Sequence, residues 1–456
     1  MNDQVKLKNT AVALDIGTTK VCAIAGQLNE YGKLEIVGMG VVRSEGVSRG
    51  VVSNIDKTVK AIREAVDIAE RNAHCKFRVV HVGIAGQHIK SLHHHGLLVR
   101  HDSNTEINQD DIDKLIKDMY KLVLPPGDKI LHVVPQEYTV DDEQDIFDPI
   151  GMSGVRLEAN FHIITGQISA SRNILRCVEK AGLEVADVTL EPIASAASVL
   201  SEEEKEAGVA LVDIGGGTTD IAIFYDGIIR HTAVIPFGGN SISNDIKEGC
   251  LVLDAQAEAL KVKYGTALPT ERDKQQVICI PVLRGRSSTK EISTYNLGKI
   301  INARVEEILE QVMYEIKRSG FERKLTGGIV VTGGGALMKH LVQLVEYKTG
   351  YIAKIGLPTE YIVKNNVGDF RNPIYSTGIG LLIKGFEDNE YKRSLNILKP
   401  KQEINQDTEL PQEELKKEVK PIEKQGKSFG SILSINSWKN KLNEFFTDDE
   451  EIFKNK

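Results

Sequence analysis

The sequence predicts an α/β fold in two lobes, and three observations predict it. Residues 12–26, "VALDIGTTKVCAIAG", and 211–224, "LVDIGGGTTDIAIF", are one unit written twice: a strand, a glycine turn and a second strand. At 456 residues the chain exceeds one ordinary domain and can bury a large core. Between and after the two units, β-rich blocks alternate with stretches of helical periodicity.

Composition bounds the class. Hydrophobic residues at 41% and charged residues at 27% are the balance of a globular protein, and a formal charge of -7 argues against general affinity for nucleic acid. Cys22, Cys75, Cys177, Cys250 and Cys279 lie far apart, with no CxxC pair, as expected of reduced thiols in a cytosolic protein. The N-terminal residues run straight into a strand without the apolar core of a signal peptide, and no run of 18 apolar residues is present.

Taken in order, residues 12–26 read as strand, tight turn, strand, and "KLEIVGMGVVR" as a third strand. From Ser53, "SNIDKTVKAIREAVDIAERNA" places apolar residues at helical spacing behind a Ser53 or Asn54 cap. Residues 82–165 carry their own strands and a helix near "NQDDIDKLIKDMYKLV", the pattern of an inserted module. Helix, strand and helix then resume to residue 200, and the repeated unit follows the charged break "SEEEKEAG". "GGIVVTGGGALMKHLVQLVEYKTG" reads as a strand, a glycine loop and a helix whose N-terminus favours anions. Beyond Leu398 the composition turns to Lys, Glu, Gln and Pro, too poor in large apolar side chains to form a core. Apolar residues return in "SFGSILSINSWKNKLNEFF".

Chemistry explains the repeat. A glycine turn lets successive backbone N–H groups point into one concavity, and such nests bind phosphate oxygens. Asp15 and Asp213 end their strands beside the turns, where a carboxylate can hold Mg2+ or its waters. One such turn is also an ordinary hairpin. Two of them in a duplicated fold would face each other and clamp one nucleotide. Each turn leads into a strand rather than a helix, unlike a Rossmann site, and no GxxxxGK[ST] is present. The run Gly333, Gly334, Gly335 permits close approach to a base or ribose; a tight strand-to-helix turn explains it equally when taken alone.

The three motifs in this order, with "LEPIASAASVL" before the second and "YSTGIGLL" after the third, resemble the nucleotide-binding superfamily of actin, Hsp70 and hexokinase over residues 11–385. Within it the chain is most similar to the bacterial division family FtsA, through the inserted module, the runs "PFGGNSISNDI" and "GRSSTKEISTYNLGKIINARVEEI", and the tethered C-terminal segment. The resemblance implies an actin-like two-lobed ATPase fold. It divides the chain into a first-lobe core (1–83 with 167–200 and about 374–397), an inserted module (84–166) and a second-lobe core (201–240 and 325–373). An outer subdomain (241–324), a flexible linker (398–427) and an amphipathic tail (428–456) complete it.

It implies phosphate contacts from Gly17, Thr18, Thr19 and Lys20, and from Gly215, Gly216, Gly217, Thr218 and Thr219. Asp15 and Asp213 would arrange Mg2+, Glu258 and Lys261 would meet ribose and base, and Gly333, Gly334, Gly335 and Ala336 would hold the adenosine. The i, i+3 spacing puts Glu258 and Lys261 on one helix face, where a solvated surface pair is the plain alternative. Glu191 matches a position where related filament ATPases carry an acidic residue, and equally suits a helix start before Pro192. ATP binding with at most slow hydrolysis is the implied activity.

The family role implied is a filament-forming adaptor on the cytoplasmic side of the membrane at the division septum. It binds the C-terminal peptide of the tubulin-like ring protein FtsZ and recruits later division proteins. Arg284 and Arg286 in the basic run "LRGRSSTK" are the candidate peptide contacts. At about 100° per residue, Ile432, Ile435, Trp438, Leu442, Phe445 and Phe446 fall within an arc of roughly 140°, the face of an in-plane membrane helix. A sugar-kinase-type phosphotransferase is the rival of another class, but it has no use for such a tail; a pilus-assembly ATP-binding protein is the rival within the superfamily. The histidines of 88–101 suggest a cation between His93 and His95, or simply an exposed hairpin.

Overall fold

The first repeated unit forms antiparallel strands β1 (Thr10–Ile16) and β2 (Lys20–Leu28), and β3 (Leu34–Arg43) pairs with the free edge of β2. Nearly every residue of β1 and β2 is buried, so the strands read as continuous apolar runs and not as alternation. A ribbon of β4 (Val47–Ser48) and β5 (Val51–Val52) leads into helix α1 (Ile55–Ala73). Of the two caps the sequence offered, Asn54 serves: its side chain accepts the Lys57 N–H. β6 (Val79–Ile84) then joins β1 in parallel. The computed structural model describes residues 10–100, 105–281, 289–358, 362–363 and 370–398.

After β6 the chain leaves this sheet. β7 (Lys90–Val99), α2 (Gln109–Met119), β8 (Asp128–Val140), β9 (Glu143–Ile146) and β10 (Arg156–Gln167) build a module with its own antiparallel sheet, in the order β7-β10-β8-β9. It has a separate core in which Ile112, Leu115 and Met119 of α2 pack on Val133, Tyr138, Leu157 and Phe161. α3 (Ile168–Lys180) brings the chain back to β11 (Glu184–Leu190), parallel to β6, and α4 (Glu191–Val199) follows.

The second lobe repeats the plan. After α5 (Glu202–Ala207) come β12 (Val209–Ile214), β13 (Thr219–Tyr225), β14 (Ile228–Ile235) and α6 (Gly239–Cys250). α7 (Asp254–Tyr264), a ribbon of β15 (Val277–Pro281) and β16 (Thr289–Ser293), and the long α8 (Thr294–Ser319) are added before β17 (Ile329–Thr332). α9 (Leu341–Thr349), β18 (Ala353–Ile355) and α10 (Ser376–Leu398) complete the described residues. The sheets run β11-β6-β1-β2-β3 and β14-β13-β12-β17-β18. Counted outward from β1 and from β12, each sheet continues through two antiparallel pairings on one side and two parallel pairings on the other. The duplication read from two short motifs therefore extends to whole sheets.

The module belongs to the first lobe by sequence, yet it docks on β14, the edge strand of the second. Gln136 donates to the Ile229 carbonyl at 3.0 Å, Glu137 pairs with the buried Arg230 at 2.9 Å, and His162 Nε2 lies 3.2 Å from Thr232 Oγ1. His93 and His95 are engaged by different partners. His93 Nε2 donates to the Arg230 carbonyl at 3.3 Å, and His95 meets Glu158 and Asn160. No cluster of three or more metal-ligating side chains occurs among the described residues.

This interface carries a pH dependence. Burial, with His93, His231 and His132 nearby, pushes the pKa of His162 down to about 3. The fold holds the ring neutral, so its contribution is intact above an unfolded pKa of about 6.5 and is lost as pH falls from there toward 3. From this group alone, stability at pH 5 is expected to be about 2 kcal/mol below that at pH 7. Urea unfolding at both pH values tests this: the midpoint should fall in the native protein and fall less in His162→Gln.

Candidate functional site

A cavity of about 420 Å3 lies between the two hairpin turns. Asp15, Gly17, Thr18, Thr19 and Lys20 line it from the first lobe, and Asp213, Gly215, Gly216, Gly217 and Thr218 from the second. Glu191, Glu258, Lys261, Gly333, Gly334 and Gly335 complete the expected residues found there. Two others sit behind the surface: Thr219 is buried with its hydroxyl donating to the Phe237 carbonyl, and Ala336 is packed in the second-lobe core.

Strand register shows how the turns correspond. Ile16 opposes Val21 and Ile214 opposes Thr219, leaving four-residue turns, 17–20 and 215–218. Asp15 therefore matches Asp213, and the residue across the ladder is Cys22 in one lobe but Asp220 in the other. The sequence reading missed Asp220. Its signal is that register: a second carboxylate seven positions after Asp213, across a four-residue turn. Asp220 lines the cavity, accepts from Thr218 Oγ1 at 3.1 Å on Oδ2, and has no partner for its buried Oδ1.

The glycines of the second turn answer a demand for space, since none of the three takes the left-handed backbone. A Cβ on Gly216 would collide with Thr19, and one on Gly217 would come within 2.6 Å of Thr18 Oγ1. The turns thus approach each other across the cleft as closely as backbone allows. Gly333 differs: its φ of 80° is left-handed, and a Cβ there would strike Asp213 Oδ1. The third loop corrects one expectation. Residues 334–337 make a single 3-10 turn, and α9 begins only at Leu341, after His340 at φ 60°. The loop offers close backbone approach, and the expected helix N-terminus does not open at it.

Lys261 is not a solvated surface residue. Its Nζ pairs with Glu258 at 2.8 Å and donates to the Gly239 carbonyl and Ser243 Oγ, both at 2.8 Å. Gly239 in turn donates its N–H to the Gly215 carbonyl, so α7 is tied to the second turn through the start of α6.

Charge is concentrated at the cavity floor. Burial pushes Asp220 up to about 8, with Asp213 adding to the effect, and burial likewise raises Asp213. Glu191 is held well above the usual carboxylate range by burial and then by Asp15, Asp220 and Asp213. Against these stands Lys20, 2.6 Å from Asp15; burial opposes its charge, but the Asp15 carboxylate prevails and its pKa is raised. Four carboxyl groups beside one ammonium, one carboxyl with an unpartnered oxygen, offer the oxygen-only donor set of a hard divalent cation, whose charge would favour their ionised forms. They do not form a closed cage of three ligands. That suits Mg2+ held by one or two carboxylates, waters and phosphate oxygens. Arg284, Arg286 and the tail residues Ile432, Ile435, Trp438, Leu442, Phe445 and Phe446 lie outside the described residues.

Comparison with known proteins agrees with this architecture. The family model "Cell division protein FtsA" matches residues 210–380, and "SHS2 domain inserted in FTSA" matches 86–165, within the docked module. The FtsA of Pseudomonas aeruginosa is 43% identical over 386 residues, 85% of this chain and 91% of that protein. Those of Bacillus subtilis and Escherichia coli K12 are 37% and 34% identical, over 81% and 84% of the chain and 82% and 91% of their own lengths. Among solved structures, the PilM-PilN type IV pilus biogenesis complex aligns at TM-score 0.61 and 14% identity, covering 82% of this chain and 98% of that one. MreB5 of Spiroplasma citri bound to ADP aligns at 0.50 and 16%, covering 85% and 99%. At such identities these structures share the fold alone, an actin-like one.

Proposed function

The chain belongs to the FtsA family of cell division proteins, and from that premise we propose that it binds Mg-ATP between its paired hairpin turns, polymerises at the membrane and anchors FtsZ there. The observation that carries the nucleotide reading is the pair of equivalent turns meeting across one cavity with carboxylates at its floor.

In this reading the backbone N–H groups of both turns cradle the phosphates, and Lys20 exchanges its bond with Asp15 for a phosphate oxygen. Bound Mg2+ would neutralise phosphate charge. Asp15 and Asp213 would hold that ion, directly or through water, Glu258 and Lys261 would meet the ribose and base, and Gly333 to Gly335 would allow the adenosine to lie against backbone. Glu191 is the candidate for positioning water. Hydrolysis needs such a water-positioning group as well as phosphate binding, and at most slow turnover is expected.

No described helix is long and apolar enough to cross a membrane. In this reading attachment to the cytoplasmic face falls to the amphipathic tail 428–456, and capture of the FtsZ C-terminal peptide to the outer subdomain around Arg284 and Arg286. The module recruits later division proteins. Sedimentation with anionic liposomes, with and without ATP and FtsZ, tests the whole: the protein should pellet with vesicles and carry FtsZ with it. FtsZ left in the supernatant while the protein pellets would contradict the adaptor role. Reversing charge at Arg284 and Arg286 should weaken peptide capture about ten-fold or more, since each removes an attraction and adds a repulsion; unchanged peptide affinity in a pull-down would place the contact elsewhere.

A further inference from the structure

Below the cavity, Asp213 is gripped by hydroxyls from two helices far apart in sequence. Ser195 of α4, fully buried, donates to Asp213 Oδ2 at 2.8 Å. Thr377, in the first turn of α10, lies 3.0 Å from Ser195 Oγ and 3.4 Å from the same carboxylate oxygen. Three oxygens share two hydroxyl protons. Once Ser195 donates to Asp213 its only proton is used, so Thr377 must be the donor in its own contact, to Ser195 or to Oδ2. Both protons are thus directed, at first or second hand, at Oδ2. The other oxygen, Oδ1, faces Gly333 of the cavity-lining loop, where a Cβ would strike it.

The surroundings keep these hydroxyls from reorienting. Ser198 Oγ sits between the carbonyls of Ser195 (2.9 Å) and Ser376 (2.7 Å), and Ser376 Oγ is 2.7 Å from Thr332 Oγ1. The backbones of α4 and α10 meet where a Cβ on Gly380 would collide with Ala194. Simple packing would be met by alanine and valine at 195 and 377. Directed hydroxyls converging on a single oxygen need another reason.

We infer that Ser195 and Thr377 are positioning residues for Asp213: they anchor one carboxylate oxygen so that the other is presented to the divalent cation on a bound nucleotide. Because Thr377 stands at the start of α10, the same bonds tie that helix to the site. The inference rests on the Mg-nucleotide reading above.

The test compares affinity for a fluorescent ATP analogue in Mg2+ and in EDTA, with Mn2+ binding followed by electron paramagnetic resonance. Ser195→Ala and Thr377→Val should each cut the Mg2+-dependent gain in affinity about five- to ten-fold, as expected for the loss of one ordinary hydrogen bond. Both should weaken Mn2+ binding in the presence of nucleotide. Thr377→Ser, which keeps the hydroxyl, should restore both. An unchanged Mg2+-dependent gain in both variants would overturn the positioning role. So would equal losses in Mg2+ and EDTA, or failure of Thr377→Ser to rescue, since either marks a packing role. A native protein with no Mg2+-dependent gain would instead remove the underlying reading, a result the variants cannot mimic.

Discussion

Gly216→Val is expected to lower nucleotide affinity at least about 100-fold while leaving the fold intact. The Cβ it adds falls on Thr19 of the opposite turn, so the side chain occupies phosphate space and also wedges the lobes apart. Either effect removes the close approach on which a two-sided clamp depends, and 100-fold corresponds to about 2.7 kcal/mol. The backbone itself is under no strain, because Gly216 does not use the left-handed conformation reserved for glycine. Thermal stability without nucleotide should fall only by what displacing Thr19 costs, leaving the variant folded. Titration with labelled ATP, alongside circular dichroism, checks both parts; native affinity in a folded variant would sink the clamp.

The second large effect is expected at the tail. Replacing Trp438 and Phe445 with glutamate should release the protein from anionic liposomes by two orders of magnitude or more, with ATP binding unchanged. Burial of a large apolar side chain contributes about 1.5 to 3 kcal/mol at full depth and less at an interface, whereas a lysine near anionic lipid adds about 1. Apolar insertion should dominate, the more so because "TDDEE" after Phe446 opposes anionic headgroups. Lys439 falls inside the apolar arc, and its stem can snorkel to the surface. Read as a flexible chain, the roughly thirty residues 398–427 would have a reach on the order of 30 Å. One such helix binds marginally, so assembly into filaments would raise apparent affinity by presenting many at once. Retention on vesicles by the double variant, or by a chain ending at Lys427, would refute the assignment.

What was legible in the sequence was local or repeated. Both hairpins could be read because a four-residue glycine turn between buried strands leaves its mark within fifteen residues, and the second copy turned a weak signal into a strong one. The module was legible as an interruption of that pattern. Its docking on β14 was not: Gln136 and Ile229 are 93 positions apart, and no local pattern reports their pairing. The same holds for Ser195 and Thr377, 182 positions apart. Asp220 needed only the register of one hairpin, yet an acidic residue in a strand looks like an outward-facing one until its partner across the ladder is known. The third loop was misread because a glycine run looks alike whether a helix or a single 3-10 turn follows. There the left-handed His340 decided the matter.

The central claim is that one nucleotide is held from both lobes. Hydrogen–deuterium exchange with and without Mg-ATP addresses it at the residues concerned. The account predicts that added Mg-ATP slows exchange in three segments together: 16–20, 215–220 and 333–337. Protection of one turn alone, or of none of the three while ATP is bound, would contradict it.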